Sequence, residues 1–533
     1  MDQLIALLAE LVEIESVTGS EAEIRFPEHI YALLEQKPYF KQCPEHLQLH
    51  PLQDGRQLLT ALVKKTDKKE TIILLSHFDV VGTEDFGIFQ HLATKVHDLT
   101  AAYKRGDAEL PASVTSEIQQ GEWLFGRGTM DMKAGLAIHL SMLERAMDDA
   151  FDGNILLLTV PDEEVNSAGM LRALEVLQQL QATEGLLYKL CMNGEPVFSK
   201  YPGDTRNYLY SGSIGKVLPG FFCYGKETHV GEPFGGLNAN LMISYLSQEL
   251  ELQESFIEEV DGEVTPPPVS LMLRDLKETY SVQTPVSAVT MYNVLFLEQS
   301  IHDINVKLKQ AMDRAANKIA DHYEQKAKLA AAKTNAAHPT AFTIKTMFYE
   351  ELYAHAVSRY GQGEVERRQN RLVTTRTEGD RDFSTKLVKE LVSMCHDLAP
   401  VIVLFYSPPF YPAVSSSKDP YIQRLIRDIQ VKAKQNFDEE LTQVQFFPGL
   451  SDSSFIGKPT SKTVILDLLS NMPLQEKGFT LPADLMEGLQ MPILHLGPYG
   501  KDAHQWTERL EVTYSFGKLP DLIESAIVFA LRT

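Results

Sequence analysis

Cysteines are few in this chain, and no two of them lie close together. Cys43, Cys191, Cys223 and Cys395 form no CxxC pair, which excludes a disulfide framework and a zinc site built from paired thiolates. Isolated thiols are typical of proteins from a reducing compartment, so we predict a cytoplasmic location.

Positive charge and long apolar runs are also scarce. The sequence has 50 Lys and Arg residues against 72 Asp and Glu residues, a net charge of −22, which argues against nucleic acid or an anionic membrane as a partner. No apolar run approaches the roughly 18 residues that a membrane-spanning helix requires. Residues 1–16 carry acids among leucines at helical spacing, which predicts an amphipathic helix and not a signal peptide.

A length of 533 residues predicts at least two domains. Residues 1–207 alternate apolar runs with helical segments, which predicts an α/β domain whose mixed, largely parallel sheet is flanked by helices. Residues 208–357 are rich in glycine-punctuated, β-like segments followed by a long charged helix, which predicts an inserted α+β domain. The α/β pattern returns in residues 358–533, and the polar stretch 363–382 predicts an exposed connection.

Three of the apolar runs end in residues that can bind metal. These residues are His77 and Asp79 after the first run, Asp162, Glu163 and Glu164 after the second, and Glu195 after the third. A further acid, Asp131, lies in the glycine-rich turn "GRGTMDMKAG". The carboxyl ends of parallel strands meet at one edge of a sheet, where a divalent cation would remove the repulsion between converging carboxylates. Each carboxylate alone could instead be a helix cap or a solvated turn residue.

The residue types indicate the metal. Imidazole nitrogen together with carboxylate oxygen, without thiolate, favours Zn²⁺, with Co²⁺ or Mn²⁺ as substitutes, over Ca²⁺ or Mg²⁺. Residues two apart on an extended segment face the same way. We therefore expect Asp79 to hydrogen-bond the far nitrogen of His77 and to fix its tautomer.

Six motifs occur in an order that resembles a known family. They are "SHFDVV", "GRGTMDMKAG", "PDEE", "NGEP", "GKETHVGEPFGGLNA" and "GPYGKDAH". This series resembles the M20 family of dinuclear metallohydrolases, which includes aminoacylases, acetylornithine and succinyl-diaminopimelate deacylases, dipeptidases and glutamate carboxypeptidases. The resemblance implies a hydrolase that uses two divalent ions to cleave a peptide or N-acyl amide bond in a small amino-acid-derived molecule.

By position in the motifs, the resemblance also implies a set of metal ligands. Asp131 would bridge the two ions. His77 and Glu195 would complete one site, and Glu164 and His504 would complete the other.

The same resemblance implies the catalytic roles. Glu163 would be the general base for the attacking water, with Asp79 orienting His77 beside it. His229, in the inserted domain, would stabilise the oxyanion. In such proteins the matching histidine often reaches across a dimer interface, so the inserted domain is expected to act as a lid and to form a homodimer.

The sequence departs from the family pattern in two respects. Many members carry an arginine in the inserted domain that clamps the carboxylate of the substrate, whereas "YNVLFLEQ" has Leu295 at that place. Arg206 is one residue that could replace it, and a substrate without that carboxylate is an alternative. Extra segments near 360–400 and 458–490 resemble the arginine-utilisation (RocB-type) branch, which implies an arginine derivative.

Two other functions stay open at this stage. A non-catalytic ligand-binding or regulatory protein could share the scaffold, although such proteins usually lose ligands or the base first, and all these positions are occupied here. A metallophosphoesterase would also use paired metals, but no cluster of Arg and Lys surrounds His229 in the sequence.

Overall fold

Short apolar runs form the central strands, because a strand that is covered on both faces needs apolar side chains on both. The computed structural model describes residues 1–201, 203–204, 206–334, 342–460 and 464–532. The strands are β1 (Leu47–Pro51), β2 (Gln57–Val63), β3 (Glu70–His77), β4 (Trp123–Phe125), β5 (Asn154–Val160), β6 (Leu187–Asn193), β7 (Asn207–Tyr210), β8 (Gly212–Ser213), β9 (Gly215–Tyr224), β10 (Glu259–Val260), β11 (Glu263–Val264), β12 (Val269–Asp275), β13 (Ser287–Phe296), β14 (Lys345–Phe348), β15 (Val401–Tyr411), β16 (Val414–Ser415), β17 (Leu441–Val444), β18 (Ile493–His495), β19 (Gly500–Lys501) and β20 (Arg509–Glu511).

The helices alternate with these strands in the first part of the chain, as predicted. They are α1 (Asp2–Glu13), α2 (Glu21–Glu35), α3 (Pro38–Gln42), α4 (Val96–Arg105), α5 (Ala112–Gln120), α6 (Ala134–Met147), α7 (Ala168–Glu184), α8 (Ala239–Leu250), α9 (Ile301–Thr334), α10 (Tyr349–Tyr360), α11 (Gln362–Thr374), α12 (Asp380–Met394), α13 (Pro420–Phe437), α14 (Val464–Leu469), α15 (Ala483–Gly488), α16 (Val512–Gly517) and α17 (Leu519–Arg532).

The first of two compact units comprises residues 1–214, 414–459 and 482–533. Its main sheet has eight strands in the order β1-β2-β5-β3-β6-β18-β7-β17. Strand β3 pairs in parallel with both β5 and β6, whereas β1, β2 and the β18–β7 contact are antiparallel. Helices α6, α7 and α17 pack on the central strands. The mixed, largely parallel sheet flanked by helices is therefore confirmed.

The second unit comprises residues 215–413 and 460–481. Its five-stranded sheet has the order β12-β13-β9-β15-β14. One face of this sheet forms a core with α10 and α12, built from side chains such as Phe222, Met291, Leu391 and Phe405. Strand β12 lies at the edge and pairs only with β13 among the described strands.

The unit boundaries differ from the predicted ones. The sequence pattern predicts the return to the first domain at residue 358, but β15 lies in the five-stranded sheet, antiparallel to β9 and parallel to β14. An apolar run does not reveal which of two sheets it joins. The stretch 363–382 is also no exposed connection, because α11 and the start of α12 occupy most of it. Ion pairs one turn apart, such as Glu364 with Arg368, stabilise that polar helix.

Two further properties of the structure concern its cysteines and the apolar character of its helices. Cys43, Cys191, Cys223 and Cys395 are all free thiols. Within the described ranges, none of the helices combines the length and the apolar composition that a bilayer crossing needs.

Candidate metal centre

The polar ends of β3, β5 and β6 meet at one edge of the main sheet. His77 pairs in register with Val160 of β5, and Leu75 pairs with Asn193 of β6. The segments that follow these strands therefore leave the sheet side by side, as expected for parallel neighbours. Helix α6 packs closely against the turn that follows β6. A Cβ on Gly135 of α6 would lie 2.2 Å from the main-chain oxygen of Gly194, so only glycine allows the helix to approach this turn.

His77 is buried and has both ring nitrogens engaged. Its Nδ1 lies 3.0 Å from the main-chain oxygen of Asp79 and 3.5 Å from the carboxylate of that residue. The nearest acceptor of Nδ1 is thus the main-chain oxygen, and the carboxylate that the sequence predicts for this role lies farther away. Nε2 faces Asp131 Oδ1 at 3.3 Å and Glu195 Oε1 at 3.8 Å. Burial opposes a charged imidazole, but the contacts with Asp131 and Asp79 raise the pKa of His77 well above its ordinary value.

The carboxylate of Asp79 has further partners besides His77, which it approaches at 3.5 Å. Its Oδ1 accepts the main-chain N–H of Glu163 at 3.1 Å, and its Oδ2 accepts that of Glu164 at 3.2 Å. Thr18 donates its hydroxyl to Oδ2 at 2.8 Å. Burial alone would raise the pKa of Asp79, but His77 and these donors hold it below the ordinary value. Asp79 therefore joins the end of β3 to the acidic turn that follows β5.

The acidic turn "PDEE" adopts an unusual backbone conformation. Asp162 has φ 69°, a left-handed conformation that costs an L-residue roughly 1–2 kcal/mol. Arg56 donates to Asp162 Oδ1 at 2.6 Å, and the N–H of Ala168 donates to Oδ2 at 3.0 Å. These contacts hold the turn, which directs Glu163 and Glu164 to the site.

Asp131 lies between the two imidazoles of the site. Its Oδ1 faces His77 Nε2, and its Oδ2 lies 3.2 Å from His504 Nε2. Burial would raise the pKa of Asp131, but the two histidines lower it. The main-chain N–H groups of Met130 and Asp131 donate to Glu508 Oε1 at 3.2 and 3.4 Å. Glu508 is itself buried and paired with Arg127 at 2.8 Å.

His504 comes from a distant part of the chain. It lies on the loop between β19 and β20 with φ 63°, and its Nε2 is 3.0 Å from Glu164 Oε1. Hydrogen bonds to Asp131 and Glu164 raise the pKa of His504 to about 10. Both imidazoles are therefore held in contact with carboxylates, although 427 positions separate them in the sequence (504 − 77).

The two remaining carboxylates, those of Glu163 and Glu195, are buried close to other acidic side chains. Burial raises the pKa of Glu163 and of Glu195 well above the ordinary glutamate value, and neighbouring carboxylates raise it further. Glu163 Oε2 lies 4.0 Å from His77 Nε2. Glu195 is oriented by Asn193, whose side-chain oxygen accepts the N–H of Glu195 at 3.3 Å.

One further acid of the site was not found from the sequence. Asp452 is 2% exposed, lies on the short helical turn Asp452–Phe455, and raises the pKa of both Glu163 and Glu195. Burial raises its own pKa to about 7. The only signal in the sequence is an acid inside "GLSDSSF", which has no periodicity to distinguish it from an ordinary turn.

Three other predicted or considered residues lie elsewhere. His229 is an exposed residue of the second unit, and the N–H of Gly231 donates to its Nδ1 at 3.1 Å. Leu295 of β13 lies opposite Lys216 of β9. Arg206 belongs to the first unit and pairs with Asp204 at 3.1 Å, so its guanidinium already has a carboxylate partner.

The gathered donors fit a divalent metal. Ligand atoms of His77, Asp131 and Glu164 all lie within 4.8 Å of one another. Glu195 adjoins the His77 side of Asp131, and His504 adjoins the Glu164 side. Imidazole nitrogens and carboxylate oxygens form the ligand set that zinc and similar ions prefer, and a bound cation would stabilise the ionised form of the buried carboxylates, whose pKa values are raised.

Comparison with known proteins gives the family and the fold of the chain. The model of peptidase family M20/M25/M40 matches residues 73–514. The chain is 49% identical over 532 residues to "Uncharacterized protein YqjN" of Bacillus subtilis (strain 168), covering 100% of this chain and 97% of that protein. It is 30% identical over 547 residues to protein RocB of the same organism, covering 100% and 95%. A tripeptidase structure from Staphylococcus aureus matches 100% of this chain and 99% of its own with a TM-score of 0.53 at 13% identity, a likeness of fold.

Proposed function

Because the chain belongs to peptidase family M20/M25/M40, we propose that it hydrolyses the amide bond of an N-acyl amino acid or a small peptide with two divalent ions. Metal-dependent amide hydrolysis, typically with two ions, is general in this family. One observation carries the proposal for this chain: the two oxygens of Asp131 face different imidazoles, His77 at 3.3 Å and His504 at 3.2 Å.

Each side of Asp131 offers a separate set of ligands. His77 and Glu195 would hold one ion, and Glu164 and His504 the other, with Asp131 shared between them. Bound there, the ions would polarise the scissile carbonyl and lower the pKa of the attacking water. The ligand types favour zinc, with cobalt or manganese as substitutes.

Glu163 is the proposed general base. The hydrogen bond from its main-chain N–H to Asp79 fixes its backbone, and its carboxylate points toward His77. Glu163 would take the proton of the attacking water and then give it to the leaving amine, so one carboxylate serves both transfers. Burial raises the pKa of Glu163, and bound ions would oppose that rise because they stabilise the ionised carboxylate that accepts the proton.

His229 is the proposed donor to the oxyanion. The N–H of Gly231 donates to Nδ1, so Nδ1 is an acceptor and the proton of the neutral ring resides on Nε2. That tautomer offers a hydrogen bond to developing negative charge.

A cationic side chain on the substrate is the proposed basis of specificity. The position of the usual carboxylate-binding arginine holds Leu295, and the chain carries a net charge of −22, which favours the approach of cations. Together with the branch resemblance, this supports an arginine derivative and a role in amino-acid catabolism in the cytoplasm.

The second unit is the proposed dimer interface. Edge strand β12 leaves one row of main-chain N–H and C=O groups without a partner among the strands that the structure describes, and Leu271 and Leu273 on it are 60% and 50% exposed. Such edges associate readily. Antiparallel pairing of β12 with the same strand of a second copy would satisfy these groups and cover the leucines, as two-fold symmetry allows.

The test is an assay of the purified protein. Hydrolysis of N-acetyl-arginine, other N-acyl amino acids and dipeptides is measured together with bound metal, before and after chelation. Glu163→Gln should keep both ions and lose turnover, whereas Glu28→Gln, an exposed change on α2, should behave like the wild type. Turnover that survives complete removal of metal, or full activity of Glu163→Gln, would refute the proposal. Metal binding without hydrolysis of any amide would favour the ligand-binding alternative.

A further inference from the structure

The loop that carries His504 has a backbone that needs support. It joins β19 to β20, which pair antiparallel through Lys501 and Arg509. Asp502 has φ 58° and His504 has φ 63°. L-residues with side chains reach this left-handed region only against their intrinsic preference. Other contacts must therefore hold the loop in this shape.

Arg509 makes those contacts from inside the protein. Its side chain is 2% exposed, and Nη1 donates to the carboxylate of Asp502 and, at 3.0 Å, to the main-chain oxygen of Thr507. The hydroxyl of Thr507 donates to the same carboxylate oxygen of Asp502 at 2.7 Å. The guanidinium therefore ties the first and the last part of the loop together.

The other edge of the guanidinium is anchored to the body of the first unit. Nε and Nη2 donate to Glu117 Oε2 at 3.0 and 2.5 Å, and Glu117 lies on α5. The planar group also stacks over the ring of Trp123 on β4, 5.3 Å from its centre. An arginine can make all these contacts at once because its donors form a rigid planar fork.

We infer that Arg509 is a positioning residue that, through Asp502, holds the His504 loop in its ligand-ready shape. The consequence is local: the side of the centre formed by Glu164 and His504 depends on this clamp. The side formed by His77 and Glu195 lies on strand ends that Arg509 does not touch. The inference rests on the proposed function, because it concerns a residue that is proposed to hold a metal ion.

The first experiment measures metal affinity. Arg509→Met keeps the apolar stem and removes every donor. Titration with Zn²⁺ against a chelating indicator should then show one of the two ions bound about 10–100-fold more weakly, the usual effect of losing a group that orients a ligand, and the other ion unchanged. Lys501→Met is the matched control, because Lys501 Nζ also donates to Glu117, at 2.5 Å, but within the described part of the chain it makes no hydrogen bond to Asp502 or Thr507. It should bind both ions normally.

Two further variants separate positioning from a general loss of structure. Asp502→Gly removes the clamped carboxylate while allowing the positive φ, so it should weaken the same single ion, and it replaces Arg509→Met if that variant does not fold. In a His504→Ala background, Arg509→Met should cause no additional loss of metal. Equal weakening of both ions, unchanged affinity, or an additive loss in the double variant would overturn the inference.

A measurement on the metal-free protein keeps the inference distinct from the proposed function. The N–H of Gln505 donates to Asp502 at 3.0 Å, and that of Glu508 donates to Gln505 at 2.8 Å. Hydrogen exchange at these amides should be faster in Arg509→Met than in wild type or Lys501→Met. Unchanged exchange would refute the clamp, whereas a wild-type chain that binds no divalent ion would refute the proposed function.

Discussion

The carboxylate of Asp79 accepts the main-chain N–H of Glu163 at 3.1 Å. Because Asp79 follows β3 and Glu163 follows β5, this bond fixes the proposed base relative to the strand that carries His77. The bond also gives the carboxylate of Asp79 a role beyond its contact with His77. The Nδ1 atom of His77 is closer to the main-chain oxygen of Asp79, at 3.0 Å, than to the carboxylate, at 3.5 Å.

Asp79→Asn should therefore impair turnover more than metal binding. The N–H groups of Glu163 and Glu164 bond different oxygens of Asp79, and in asparagine one of these oxygens is replaced by an NH₂ donor, so one of the two N–H groups loses its acceptor. We expect kcat to fall about 10–100-fold, with both ions still bound. Asp152→Asn, a change at an exposed residue paired with Lys68, is the control. A wild-type kcat in Asp79→Asn would show that the Glu163 backbone does not need this bond.

The buried pair Arg127–Glu508 should contribute to stability through the turn of Asp131. Glu508→Gln leaves the guanidinium of Arg127 with Asp85 and the main-chain oxygen of Gly82, and breaking a buried pair in this way should lower the free energy of unfolding by about 3 kcal/mol. Chemical denaturation measures this loss. The double variant Arg127→Met/Glu508→Gln should lose less than the sum of the single losses, because the one charge that then loses its partner, on Asp85, is exposed to solvent.

A surface pair supplies the control for that experiment. Arg145 and Glu524 are paired at the surface, so Glu524→Gln should change the free energy of unfolding by less than about 1 kcal/mol. An equal effect of the two substitutions would mean that the buried pair has no special role.

Acid should destabilise the fold through His139. Burial lowers the pKa of His139 to about 3, below its ordinary value of 6.5, so the unfolded chain binds a proton between these pH values and the folded chain does not. The contribution of the neutral, buried His139 to the free energy of unfolding is therefore fully present above about pH 6.5 and is lost as the pH falls. This histidine should account for about 2 kcal/mol of lost stability between pH 7 and pH 5.

Substitution separates this contribution from the others. His139→Gln retains a group that can bond Ser76, which is 2.8 Å from His139 Nδ1, but does not titrate. Its stability should therefore fall about 2 kcal/mol less over the same range, whereas exposed His97→Gln should follow the wild type. Identical slopes for wild type and His139→Gln would contradict the assignment.

Disruption of the β12 edge should produce monomers. Leu273→Lys places a charge on the proposed interface, so light scattering after size exclusion should give one chain for the variant and two for the wild type. Leu329→Lys, at a 55% exposed position of α9 in the same unit, should remain a dimer. A wild-type monomer at micromolar concentration, or a dimeric Leu273→Lys, would refute this interface.

Features that depend on a short stretch of neighbouring residues could be predicted from the sequence. Apolar runs that end in His77, Glu163 and Glu195 predicted parallel strands with polar ends at one edge, because strand period and edge geometry are local properties. His504 has no such signal, since it lies on a loop whose approach to Asp131 depends on the whole fold; only the motif order indicated it.

Other features depend on contacts between distant segments. Glu508 and Asp452 look like ordinary turn acids in the sequence, and their partners lie hundreds of positions away. The prediction that β15 belongs to the first domain is wrong for the same reason: a hydrophobic pattern predicts a buried strand but not its neighbours.

The central claim is that Asp131 separates two metal ions, and anomalous diffraction from crystals grown with zinc tests it most directly. The account predicts two peaks at the zinc edge, one between His77 and Glu195 and one between Glu164 and His504, and the loss of both in Asp131→Ala. A map from zinc-loaded crystals without a peak beside Asp131, or with both peaks unchanged in Asp131→Ala, would contradict it.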